Sequence, residues 1–215
     1  MKDIPVQKVV FHERIGDEDQ QRADLYGVLA TLFAGPPNND LLMALAAQVE
    51  PAKEQKAGQG ETALELAWRE LCQSAQMMNA SAAKQEYESC FMSVGKPPVF
   101  LYISYYASGF LHEKPLARIR QDLNELGISR KEGVSETEDH ISSLCEVMRY
   151  LIMVEDLQAG DMAIQRRFFQ EHLAAWFEPL ADAIVAFPSA HFYGRVGELL
   201  RAFLSVERLS FDYED

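Results

Sequence analysis

Glu136 and His140 stand four residues apart in the run Glu136-Thr137-Glu138-Asp139-His140, and His172 follows on a later apolar stretch. A carboxylate and two imidazoles are ligand types that a divalent metal accepts, and an i, i+4 pair shares one helical face, so a metal-dependent helical enzyme is one reading open to this chain. A di-iron bundle would need Glu-x-x-His on two helices, and neither copy is present. The same acids also suit the first turn of a helix, where negative charge is favoured by about 0.3–1 kcal/mol each. Two nucleotide patterns fall short. Gly95-Lys96 resembles the end of a phosphate loop, but Cys90 stands where the earlier glycine is required and Pro97 where Ser or Thr is. Gly58-Gln59-Gly60 with Ala63 mimics a dinucleotide fingerprint, yet a polar loop precedes it instead of a strand. Tyr102, Tyr105 and Tyr106 beside Gly95-Lys96-Pro97-Pro98 combine rigid aromatic surface with hydroxyls, which suits peptide capture and also suits a plain helical core.

Helices must position these groups, because apolar residues recur at helical spacing almost throughout. Leu25, Val28, Leu29, Leu32 and Phe33 form one stripe that Gly35-Pro36-Pro37 stops. A short helix from Asp40 to about Gln48 follows, and residues 50–60, without a large apolar side chain, read as a mobile loop. A third helix carries Leu64, Trp68 and Leu71; a fourth, capped by Ser81, sets Tyr87 and Phe91 on one face. Val99 to Tyr106 fits a buried helix or a strand. Pro115 opens a helix with Leu116, Ile119, Leu123 and Leu126 that Gly127 closes. Ser135 and Glu138 match a capping box before Ile141, Leu144, Cys145, Met148, Leu151 and Ile152. Further helices run through Phe168, Phe169, His172 and Trp176, through Leu180 to Phe187, and from a Ser189 cap through Phe203; FDYED reads as an acidic tail. No internal repeat argues for a solenoid. The expected fold is all-α, a single compact bundle of about nine to ten helices over residues 1–215, with an N-terminal extension at 1–18.

Hydrophobic residues make up 48% of the 215 and charged residues 25%, which excludes disordered and fibrous classes. The longest apolar run, Leu41 to Ala47, is far short of the ~20 residues of a membrane span. The first residues lack the apolar stretch of a secretory signal, so the expected location is cytoplasmic. A formal net charge of −13 repels phosphate backbones, which argues against nucleic acid as a partner and favours basic peptides. Cys72, Cys90 and Cys145 are scattered without a CxxC, so neither a disulfide framework nor a zinc knuckle is indicated.

Six segments together resemble the TorD/DmsD/NarJ family of redox-enzyme maturation chaperones, from about Arg22 to Glu207. Arg22-Ala23-Asp24-Leu25-Tyr26 with Leu29, Leu32 and Phe33 is similar to the family's first helix, and Glu86-Tyr87-Glu88-Ser89-Cys90-Phe91 to its Tyr-x-x-Leu-Phe, with Cys90 in place of leucine. Gly95-Lys96-Pro97-Pro98-Val99 with Tyr102, Ser104 and Tyr105 resembles its proline-rich loop and Ser/Tyr segment. Pro115 to Arg120 ending in Leu126-Gly127, the acidic Asp139-His140 motif, and His172-Leu173-Ala174-Ala175-Trp176, with Ala175 in place of proline, complete the set.

The resemblance implies no catalytic turnover, no cofactor of its own, and a monomer or domain-swapped dimer. The implied partner is the precursor of a molybdopterin-dependent oxidoreductase carrying a twin-arginine signal peptide, with the molybdenum cofactor machinery behind it. The segment from Gly95 to Ile128 looks most like relatives associated with formate dehydrogenases, with dimethyl sulfoxide or trimethylamine N-oxide reductases as the alternative client. Tyr87, Phe91, Tyr102, Ser104, Tyr105, Glu136, Glu138, Asp139, His140, His172 and Trp176 are the positions it implies for client binding. A leader that is basic at one end and apolar in its middle complements an acidic protein with aromatic anchors: Asp139, with Glu136 and Glu138 nearby, is expected to meet the basic end while the aromatics take the apolar segment.

Overall fold

Apolar residues at helical spacing, stopped by glycine and proline, account for nearly every element. A computed structural model describes residues 2–3, 18–49, 60–92, 95–109, 111, 114–129, 136–154 and 162–213. Along them lie α1 (Glu18–Ala34), α2 (Asn39–Ala46), α3 (Ala63–Met77), α4 (Ala80–Phe91), α5 (Ile103–Ser108), α6 (Lys114–Glu125), α7 (Ile141–Met153), α8 (Met162–His172), α9 (Phe177–Val185) and α10 (Phe192–Tyr213). Two short strands, β1 (Lys2–Asp3) and β2 (Ile128–Ser129), pair in parallel with Lys2 opposite Ile128. The protein is all-α, as the periodicity predicts. Apart from β1 and Glu18, the predicted N-terminal extension lies outside the described residues, and so does the predicted loop apart from Gly60. No described helix is long and apolar enough to cross a membrane.

Packing divides the chain into two compact units: Met1–Ala34, Phe100–Leu180 and Asp215 in one, Gly35–Val99 and Ala181–Glu214 in the other. In the first, α1 packs along α7. The stripe in α1 predicts one buried face, but every residue from Tyr26 to Phe33 except Thr31 is buried, because Gly27 and Ala30 leave no polar face to solvate. From α7, Ile141, Leu144, Cys145, Met148 and Leu151 supply the facing core. Gln165 ties α8 to both helices: its buried amide donates to the Leu151 carbonyl at 3.4 Å and accepts from Arg22 at 3.1 Å.

In the second unit α3 packs on α2 and α10. A capping box formed by Thr62 and Glu65 starts α3, and the Asn79 side chain, accepting from Ala82 N–H at 3.0 Å, starts α4. Asn79 thus takes the place expected of Ser81, which falls inside the helix and is exposed. α10 continues to Tyr213 with Phe211 buried, so residues 211–213 of the expected acidic tail are helical, and the last two lie outside the described residues. At Gly197 an added Cβ would lie 3.0 Å from Ile184 Cγ2 and 3.2 Å from its Cβ. Gly197→Leu therefore overpacks this contact and is expected to lower stability by about 1–3 kcal/mol in a denaturant titration.

All three cysteines are buried. Burial pushes the Cys72 thiol up to about 12 and Cys90 to about 11, so neither offers a thiolate at neutral pH.

Candidate functional site

Val99 to Tyr106, which fits either helix or strand by its sequence, is both. Residues 101–103 run extended and pair antiparallel with 139–141: Ile103 N–H donates to the Asp139 carbonyl at 3.0 Å and Ile141 N–H to the Leu101 carbonyl at 2.9 Å. α5 then begins at Ile103 and ends on Gly109, whose φ of 77° is a left-handed conformation that glycine adopts without a Cβ clash. Ring packing steadies the turn. Phe100 and Tyr105 stack with centroids 4.0 Å apart, and the Tyr106 hydroxyl donates to the Phe100 carbonyl at 3.0 Å.

Asp139 and His140 lock this arrangement from inside. Asp139 has 0% exposure. Its carboxylate accepts from the Ser104 hydroxyl on α5 and from the Thr137 hydroxyl. His140 is the N-cap of α7: Nδ1 accepts from Ser142 N–H at 3.2 Å and meets the Ser142 hydroxyl at 2.7 Å. Such a cap needs an unprotonated Nδ1, and burial pushes the imidazole down to about 4, against the opposing pull of Glu136 and Asp139. Tyr102 lies edge-on to that ring at 4.9 Å, its own hydroxyl raised by burial and by the same two acids. The expected capping box is corrected here. α7 starts at Ile141 under His140, Glu138 pairs with Arg120 at 2.9 Å, and Ser135 lies outside the described residues.

The wall that α5 forms belongs to a cleft of about 260 Å³. Ile103 and Ala107 of α5, Lys114, Pro115, Arg118 and Ile119 of α6, Glu171 and His172 at the end of α8, and Trp176 in the turn before α9 line it. Its floor is apolar, since Ile103 and Ile119 are buried, while Trp176 is half-buried and offers its ring to an occupant. Charge lies on the rim, where Arg118 meets Glu171 at 3.0 Å. His172 is buried against Phe168 and contacts Asp122 through Nε2 at 2.6 Å; burial lowers its pKa and Asp122 opposes that shift.

The sequence-predicted residues fall into separate roles. His172 and Trp176 line the cleft, whereas Ser104, Asp139 and His140 sit behind its α5 wall. Tyr102, Tyr105, Glu136 and Glu138 are half-buried in the same unit. Tyr87 and Phe91 belong to the second unit, where both are buried in a ring cluster with Tyr193 at 5.1–5.5 Å. Beside them the buried Glu86 accepts from Tyr193 N–H at 2.6 Å and so caps α10 from α4. The suspected metal set of Glu136, His140 and His172 does not converge among the described residues; His172 joins Asp122 and Glu171 instead. Sequence reasoning missed Arg118 and Asp122, although their i, i+4 spacing on α6 placed them on one face.

The sequence profile of the nitrate reductase delta subunit matches residues 58–182, more than half of the chain and every residue of the cleft. The chaperone protein TorD of Vibrio cholerae serotype O1 strain M66-2 is 24% identical over 129 residues, which cover 57% of this chain and 59% of that protein. The homologue from strain ATCC 39541 is 23% identical over the same coverage. The chain thus spans less than two thirds of the curated relatives it matches. A crystal structure described as a redox enzyme maturation protein from Archaeoglobus fulgidus shares the fold with a TM-score of 0.57 at 22% identity, covering 91% of this chain and 99% of that one.

Proposed function

We propose a function from one premise: the chain belongs to the nitrate reductase delta subunit family, the group of the TorD, DmsD and NarJ chaperones. It is a maturation chaperone that binds the precursor of a molybdoenzyme and holds it until its cofactor is inserted. The α5–α6–α8 cleft takes the apolar segment of the precursor's twin-arginine leader, or of the apo-enzyme, and the half-buried carboxylates of Glu136 and of Glu138, the latter shared with Arg120, draw in the basic end. The client is a formate dehydrogenase or a dimethyl sulfoxide or trimethylamine N-oxide reductase type of enzyme.

The observation that carries this reading is a half-buried tryptophan over an apolar floor inside the family's matched segment. Trp176 supplies a rigid, amphipathic anchor of the kind that dominates peptide interfaces. Asp139 and Ser104 act as positioning residues, because their buried bond fixes α5 and with it one cleft wall, while His140, the next residue, caps the start of α7. Calorimetry with synthetic twin-arginine leaders of a formate dehydrogenase precursor and of a dimethyl sulfoxide reductase precursor tests the proposal. Trp176→Ala is expected to weaken binding at least about tenfold, with helicity unchanged, while Met77→Ala on exposed α3 surface leaves it unaltered. Leader binding of equal strength in both variants would remove the cleft from the account.

A further inference from the structure

The two carboxylates beside His172 form a constellation that peptide capture leaves unused. Nε2 of His172, on α8, lies 2.6 Å from Oδ2 of Asp122 on α6, and a ligand atom from each of Asp122, Glu171 and His172 lies within 4.8 Å of the other two. We infer that these three side chains form a site for one zinc ion, with Nε2 of His172 and one oxygen from each carboxylate as its protein ligands.

The donor set points to the metal. Magnesium and calcium prefer all-oxygen shells, whereas one imidazole and two carboxylates suit zinc. All three ligands stand on two helices that pack together, so their backbone separation is set before metal arrives. The imidazole is buried, and burial favours the neutral form that ligates. Glu171 is exposed, which gives an ion a way in, and Glu171 and His172 both line the cleft, from which water would complete a four-coordinate shell.

Two existing contacts compete with the ion. The Asp122–His172 pair must open from 2.6 Å to about 3.3 Å for both atoms to sit on a tetrahedral zinc, a shift that rotation of the carboxylate supplies. Arg118 must share or release Glu171, to which it pairs at 3.0 Å. Zinc bound here would tie α6 to α8 and stiffen two walls of the cleft. This inference stands apart from the chaperone reading, since zinc binding is measured without a client.

The full-length chain, stripped with a chelator, is titrated with zinc alone in a calorimeter and with cobalt in a visible spectrometer. One equivalent is expected to bind in the micromolar range, with the absorption of four-coordinate cobalt. Glu171→Gln, at an exposed position, and His172→Ala are each expected to weaken binding at least about tenfold. Arg118→Gln, which frees Glu171, is expected to tighten it, an effect that a purely structural Asp–His pair would not produce. Should His172→Ala fail to fold by circular dichroism, Glu171→Gln carries the same test. No saturable zinc binding, or binding that Glu171→Gln leaves at full strength, overturns the site.

Discussion

Asp139→Ala is expected to lower stability by roughly 2–5 kcal/mol, because it removes the acceptor of one buried hydrogen bond, worth about 1.5–3 kcal/mol, and of a second, part-buried one that is worth less. The carboxylate is fully buried and receives the Ser104 and Thr137 hydroxyls, so alanine withdraws what holds α5 against the start of α7. Asp139→Asn keeps an oxygen for one hydroxyl and loses less. Urea titrations of the two variants read these losses directly. The pair also separates positioning from contact. If Asp139 only positions α5, folded Asp139→Asn binds the leader within a few-fold of wild type, and Asp139→Ala loses binding in step with its loss of structure. A tenfold drop in the affinity of Asp139→Asn, with its melting temperature unmoved, would instead put the carboxylate on the client.

Acid weakens the fold through His140. Its imidazole is held down to about 4 in the folded protein, against an ordinary 6.5 in the unfolded chain. Between those values the unfolded state binds more protons, so stability rises with pH through the window and is lost as pH falls from 6.5 toward 4. The full effect is about 3 kcal/mol, of which about 2 kcal/mol is gone by pH 5. Protonation also removes the lone pair that caps α7. His140→Asn keeps an acceptor at the N-cap and has nothing to titrate there, so its stability is expected to fall about 2 kcal/mol less than wild type between pH 7 and pH 5. His172, likewise lowered by burial, contributes with the same sign in both proteins and cancels in the comparison.

Elements marked by local chemistry were legible in the sequence. The stripe of α1, the Pro115 start and Gly127 stop around α6, and the apolar register of α7 need only neighbours within a turn or two, and each appears where its residues predict. Partnerships made across the chain left no such trace. Asp139 reads as a surface acid by its sequence because nothing near it announces Ser104, thirty-five positions away. Glu86 lies inside a family-like motif, but its bond to Tyr193 N–H links α4 to α10 and is invisible to periodicity. Tyr87 and Phe91 share the face their spacing predicts, and the ring that buries that face comes from Tyr193. Ser135 and Glu138 fit the commoner capping pattern, but α7 starts later under His140, whose imidazole is a rarer cap than a serine hydroxyl and so carries no such signal in the sequence. In the cleft, Trp176 and His172 were identified through family resemblance, while Ile103 and Ile119 looked like any other core residues.

The chain has two tryptophans, Trp68 and Trp176, and replacing the first with phenylalanine leaves one reporter inside the cleft. Titrating Trp68→Phe with a tryptophan-free twin-arginine leader, while calorimetry records binding in parallel, therefore reads occupancy where the account places it. The expected result is a saturable blue shift of Trp176 emission whose midpoint matches the calorimetric affinity. Leader binding that saturates in the calorimeter while Trp176 emission stays unmoved would contradict it.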